Sequence, residues 1–194
     1  MIISALLLPS CAPAAAAEPL YNGYLGLEFR LPAGWEVDYL GVANVSDKSG
    51  APGSLSEMTL DYDDDGDSYV NLMEVTNGGL SVAEAYLSAH ITDEYGDLRA
   101  YADIIIQTIG AERSGRRSGV RFAGSSEVTI NGIKYQRIRH TITEAMPGYE
   151  MGYGYDIYIA KLGGAIFSVD VKYDLNDPVS CDFAKNFMKR IFPK

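Results

Sequence analysis

The 194-residue sequence is poor in the residues that most often staple a small fold or carry chemistry: it has two cysteines, two histidines and one tryptophan. Two cysteines cannot build the disulfide framework of a small secreted scaffold, so the fold must rest on its hydrophobic core. No Gly-x-Ser-x-Gly elbow, His-Glu-x-x-His pair or Walker loop occurs, which removes three familiar routes to hydrolysis. His90 follows what reads as a helical apolar face, and His140 lies between Ile138 and Ile142; both read as structural or surface histidines. Basic residues are also scarce, 16 against 26 acids, for a net charge of −10. That balance argues against a nucleic-acid partner, whose phosphates need a concentrated excess of Lys and Arg. What is present, 47% apolar and 22% charged residues, is globular composition at a length that fits one domain.

The scarcity of cations is one-sided. Residues 1–97 hold only Arg30 and Lys48, and residues 98–194 hold the other cations. The halves should therefore attract one another, or attract different partners.

The N-terminal apolar run, Ile2 to Leu8, is too short to span a bilayer and fits the core of a signal peptide. Leu8, Ser10 and Cys11 together resemble the signal of a bacterial lipoprotein, in which the Cys is acylated and becomes the new N-terminus. Pro9 departs from that pattern, and no Lys or Arg precedes the run. The reading is a signal peptide over 1–10, lipidation at Cys11, an Ala/Pro tether over 11–20 and a single domain over 21–194. It places the protein outside the cytoplasm, anchored to a membrane, or secreted if Cys11 is not acylated.

Along the chain, Leu25, Leu27, Phe29 and Leu31 alternate with period two, Pro32 to Gly34 interrupt, and Trp35, Val37 and Tyr39 resume. A Gly/Ser/Asn-rich loop spans 41–54. Met58, Leu60 and Tyr62 then run up to an Asp-rich turn and return through Val70, Leu72 and Val75 as a hairpin. Ser81-Val82-Ala83-Glu84 is a capping box, with Val82, Ala85, Tyr86 and Ala89 spaced for one helical face, so a helix is expected there. A second helix is expected from Leu98 to Ile109, closed by Gly110. From Val128 the period returns to two. The Asn131-Gly132 turn and the strands Ile133–Ile142, Tyr149–Ile159 and Phe167–Tyr173 predict an antiparallel meander with one apolar face. Asp177 as cap and Pro178 at the first position open a terminal helix through Phe183, Phe187 and Ile191. Cys181 at the edge of its apolar arc reads as a partly buried, inert thiol.

This order, with Phe29-Arg30-Leu31-Pro32-Ala33-Gly34-Trp35, Val128 to Gly132 and the closing helix Phe183 to Phe192, resembles the PsbP/DcrB-like superfamily of bacterial extracytoplasmic lipoproteins. The resemblance implies an α+β fold: one antiparallel sheet of about six to seven strands covered by two to three helices, an α/β/α sandwich. It also implies a non-enzymatic accessory or binding protein with no shared catalytic residues. Trp35 would be a core aromatic.

Three local features could carry function. Asp61, Asp63, Asp65 and Asp67, with Gly66, begin as a calcium loop does, though Leu72 stands where its closing Glu would be. If Ca2+ binds, these four are its ligands; otherwise they form a solvated turn. Arg113, Arg116, Arg117 and Arg121 lie in a Gly/Ser-rich segment and, with Arg137 and Arg139, form a candidate basic surface for an anionic surface component or an acidic envelope protein. The Tyr149–Tyr158 strand could stack a sugar or peptide, but its Tyr residues share a face with Met151, Ile157 and Ile159, which reads as core. The functional expectation is a binding or accessory module for another envelope component, with a calcium-responsive binding protein and an extracytoplasmic hydrolase as alternatives.

Overall fold

The computed structural model describes residues 19–22, 25–32, 34–38, 61–62, 68–78, 83–91, 96–113, 119–146, 148–162 and 164–194. In chain order the elements are β1 (Leu20–Asn22), β2 (Leu27–Phe29), β3 (Glu36–Asp38), β4 (Asp61–Tyr62), β5 (Ser68–Thr76), β6 (Ala83–Ile91) and α1 (Leu98–Arg113). There follow β7 (Gly119–Ile130), β8 (Ile133–Met146), β9 (Tyr149–Leu162), β10 (Ala165–Asp174), α2 (Pro178–Phe187), a short 3-10 turn (Met188–Arg190) and β11 (Ile191–Pro193).

The large sheet runs β3-β5-β6-β10-β9-β8-β7, with β4 also on β5, and its pairings are antiparallel. Alternation along each strand sends side chains to two faces, and a different layer covers each. One face packs under α2 and the small sheet β1-β2-β11, burying Phe29, Phe167, Phe187, Tyr135 and Leu87. The opposite face carries α1 over a smaller cluster of Ala102, Ile138, Ile157, Ile159 and Ile166. The result is the expected helix–sheet–helix sandwich.

Local chemistry explains most boundaries. Asn131, at φ 51°, and Gly132, at φ 83°, adopt the left-handed conformations that a two-residue hairpin turn demands. The side-chain amide of Asn131 donates to the Ile191 and Lys189 carbonyls, 2.7 and 3.1 Å away, tying this hairpin to the C-terminus. Asp177 caps α2 by accepting from the Val179 and Ser180 amides, both at 3.1 Å, with Pro178 in the first turn. Trp35 packs on this layer, its ring 4.5 Å from Phe183 and 5.9 Å from Phe187.

Five assignments differ from the sequence reading. The segment expected as a capped helix is β6: Ala83, Ala85, Leu87 and Ala89 are buried in alternation, and Glu84 pairs with Lys172 at 2.6 Å. Pairing on both edges, to β5 and β10, overrides a helical spacing that short Ala-rich windows satisfy equally well. The strand expected from Val128 begins at Gly119, passing a bulge at Phe122/Gly124 where Gly124 has φ 113°. Helix α1 continues through Gly110 to Arg113. The terminal helix ends at Phe187, because Ile191–Pro193 forms β11 against β2. Leu20, placed in the tether, lies in β1.

Candidate functional site

Strand alternation places Arg137 and Arg139 of β8 on the α2 side of the sheet, two and four residues beyond the buried Tyr135. In β9 the same face carries Asp156 and Tyr158, and in β10 Tyr173. Gly154 keeps this floor low, since a Cβ there would run into the Tyr173 ring. Helix α2 forms the opposing wall with Cys181, Ala184 and Lys185, and Lys189 follows in the 3-10 turn. The groove between them measures about 610 Å³.

A charged pair sits at its base. Arg137 Nη2 donates to Asp156 Oδ2 at 2.5 Å, and the guanidinium lies 5.3 Å from the Tyr158 ring centroid. Tyr135 meets Tyr158 edge-on at 6.1 Å. The Asp156 side chain is only 6% exposed and that of Arg137 27%. Burial works to lower the Arg137 pKa, but the hydrogen bond and charge of Asp156 more than offset it and hold the guanidinium above its usual value. Burial, with the nearby Asp156 charge, pushes Tyr158 up to about 12; the same two causes raise Tyr173. Both phenols therefore remain hydrogen-bond donors at any physiological pH.

The pairing is incomplete. Asp156 Oδ1 and Arg137 Nε are buried and have no hydrogen-bond partner among the described residues. Buried polar atoms are rarely left so, and the base of the groove carries that cost. Exposed Lys185 and Lys189 line the groove with this pair. Exposed Arg139 and Arg121 extend the same α2-side face beyond it, Arg121 through its pairing opposite Thr141. Three cations thus line the groove with one carboxylate and two more share its face, in a chain whose net charge is −10.

No protein-family model matches the sequence, and no curated protein matches it. Among solved structures, the solution structure of cyanobacterial PsbP (CyanoP) from Synechocystis sp. PCC 6803 aligns over 96% of this chain and 99% of its own, with a TM-score of 0.51 at 12% identity. The chain has the PsbP-like fold. At that identity the likeness concerns the fold alone. LpqN of Mycobacterium tuberculosis, involved in cell envelope biogenesis, covers 86% of this chain and 82% of its own at 15% identity and a TM-score of 0.41. PA94 of Pseudomonas aeruginosa, a putative regulator by its published description, covers 70% and 96% at 14% identity and a TM-score of 0.39.

Within this PsbP-like frame the expected basic surface is divided. Arg121, Arg137 and Arg139 come together, whereas Arg113 ends α1, the helix packed on the other face. Arg116, Arg117 and Cys11 lie outside the described residues, as do Asp63, Asp65 and Asp67 of the acidic turn. Asp61 is in β4, whose pairing with β5 forms the expected hairpin. Among the described residues no helix is long and apolar enough to cross a membrane, and no group of three or more His, Cys, Asp or Glu could hold a metal ion. Cys181 is a free, half-buried thiol that donates to the Asp174 carbonyl at 3.4 Å.

Sequence reasoning missed Asp156 and the wall it shares with α2. The available clue was the run Gly152-Tyr153-Gly154-Tyr155-Asp156-Ile157-Tyr158-Ile159-Ala160, in which one acid falls in register with core positions Tyr158 and Ala160. Tyr153, Tyr155, Ile157 and Ile159 do share a face, as expected, and Ile157 and Ile159 are core beneath α1. Tyr149 is 58% exposed at the strand's start. A larger cavity, about 940 Å³ by the N-terminus of α1, carries charges of both signs, with Lys134 and Glu127 paired at 3.7 Å near the surface. Tyr135, whose buried hydroxyl has no hydrogen-bond partner among the described residues, lines it, but it holds no buried ion pair like that of the α2 groove.

Proposed function

We propose that this protein is a non-enzymatic binding or accessory module of the cell envelope, tethered through Cys11, that takes an acidic protein segment into the groove between α2 and strands β8–β9. The observation that carries the reading is the row of cations on one face: Arg137, Lys185 and Lys189 line the groove over the buried, incompletely paired Arg137–Asp156 base, and Arg139 and Arg121 continue the face beyond it. Such a cluster in an otherwise acidic chain supports the steering and holding of a negatively charged partner. The lipoprotein-like leader supports the extracytoplasmic setting, and the PsbP-like fold is compatible with an accessory role.

Binding of a labelled octaglutamate peptide to the full chain, followed by fluorescence anisotropy, tests this. Affinity should fall about tenfold or more in the Arg121→Glu/Arg139→Glu variant, and weaken as salt is raised. Both positions are exposed, so the variant should fold. Unchanged affinity in that variant, or equal affinity for octalysine, would overturn the reading.

A further inference from the structure

The opposite face of the sheet holds another cavity, of about 240 Å³, beside the C-terminal part of α1. Its walls are apolar: Ile109 comes from the helix, Ile142 from β8 and Ile157 from β9. The Tyr155 ring lies beside them, held by stacking on His140 at 4.8 Å and 10° between planes. Two charged residues of β10, Asp170 and Lys172, reach the same space.

Their situations differ. The Lys172 ammonium is committed, donating to Glu84 Oε1 at 2.6 Å and lying 5.4 Å from the Tyr153 ring. The Asp170 carboxyl accepts from Ser168 Oγ at 3.1 Å and has no cationic partner among the described residues. Register sets it between Tyr86 of β6 and Ile157 of β9, so its flanks are a phenol and an aliphatic side chain. A carboxylate in a largely apolar cavity, without counter-charge, is costly to ionise.

We propose that this cavity binds a small organic cation, a protonated amine carrying an aromatic or branched aliphatic group. The ammonium sits on the Asp170 carboxylate, and the apolar body lies against Ile109, Ile142 and Ile157 with the Tyr155 ring alongside. Such a ligand supplies the charge that the fold leaves out, and its hydrophobic part excludes water from the ion pair. The site is separate from the α2 groove, which lies across the sheet, so either can fail without the other.

The pH dependence follows from the groups facing the carboxyl. Burial pushes Asp170 up to about 6, with the Ser168 hydrogen bond partly opposing it. Around it, Tyr86 is pushed up to about 12 by burial and by Glu84 and Glu74, Glu84 is engaged by Lys172, and Tyr155 and His140 complete the wall. Ionisation of Asp170 makes the cavity more receptive to a cation as pH rises. Affinity for an amine should therefore strengthen by roughly tenfold between pH 5 and pH 7.

Calorimetric titration of the full chain with 2-phenylethylamine provides the test, with phenylacetate as the anionic control. The amine is expected to saturate one site at pH 7, phenylacetate not to bind, and Asp170→Asn to weaken the amine at least tenfold. The variant should remain folded, because a carboxyl whose pKa is raised from 3.8 to about 6 by folding reduces stability as pH rises through that interval. Its melting temperature should accordingly exceed that of the parent above pH 6 and match it near pH 4. Amine affinity unchanged by Asp170→Asn, equal binding of phenylacetate, or no saturation at pH 7 would each overturn the proposal.

Discussion

Replacing Phe187 by alanine is expected to lower the unfolding free energy by about 3–5 kcal/mol, a drop of roughly 10 °C in melting temperature. Phe187 ends α2 with its side chain fully buried. Its ring stacks at 5.4 Å on Phe183 and at 5.9 Å on Trp35, so truncation opens a cavity where helix, sheet and N-terminal segment meet. A transfer loss and a cavity loss then add, since three separate layers cannot all close on the gap. Val179, on the same helix, is 60% exposed, and Val179→Ala should change stability by under about 0.5 kcal/mol. Chemical denaturation of the two variants measures the contrast. Equal effects would mean that α2 does not dock as described.

The second large effect concerns the base of the groove, where stability and binding should move in opposite directions. Asp156→Ala leaves the Arg137 guanidinium without its counter-charge, which is expected to destabilise the protein by about 2–3 kcal/mol. The value lies below that for a fully enclosed pair because the Arg137 side chain retains 27% exposure. The same change removes the one acid that lines the groove with Arg137, Lys185 and Lys189, so affinity for octaglutamate should rise several-fold even as the melting temperature falls. Loss of binding together with loss of stability would instead make Asp156 a direct anchor of the partner.

The parts of this fold that were legible in the sequence are those where one pattern had one reading. The Asn131-Gly132 turn and the long alternations after it specify β8, β9 and β10, because a one-residue slip would turn Ile138, Ile157 and Val169 to the wrong face. Asp177-Pro178 specifies the start of α2 for equally local reasons. Strand β6 failed this test. Ala85 and Ala89 satisfy a helical and an extended face alike, and only pairing with β5 and with β10, the latter distant in sequence, decides between them. The same holds for Ile191: its spacing from Phe187 continues a helix, but β2 offers it a strand partner more than 160 residues away.

The groove was legible only in part, because its residues come from six separate elements, β7 to β10, α2 and the 3-10 turn. Arg121, Arg137 and Arg139 could be grouped as basic, yet that they share a face with Lys185 depends on the sheet's register and on which side α2 packs. Arg113, near them in sequence, is carried to the other layer by α1. The Asp156 carboxylate escaped notice for a related reason: a lone acid in a Tyr-rich strand acquires meaning only when Arg137 is seen beside it.

The central claim is that the groove between α2 and β8–β9 is where an anionic partner binds. The most direct measurement is amide chemical-shift mapping of the isotopically labelled full chain on addition of octaglutamate. The account predicts saturable shifts concentrated at Arg137, Arg139, Asp156, Tyr173 and Lys185, with the α1 face near Lys161 unaffected. Shifts centred on the α1 face, or spread over exposed lysines and arginines without saturation, would contradict it.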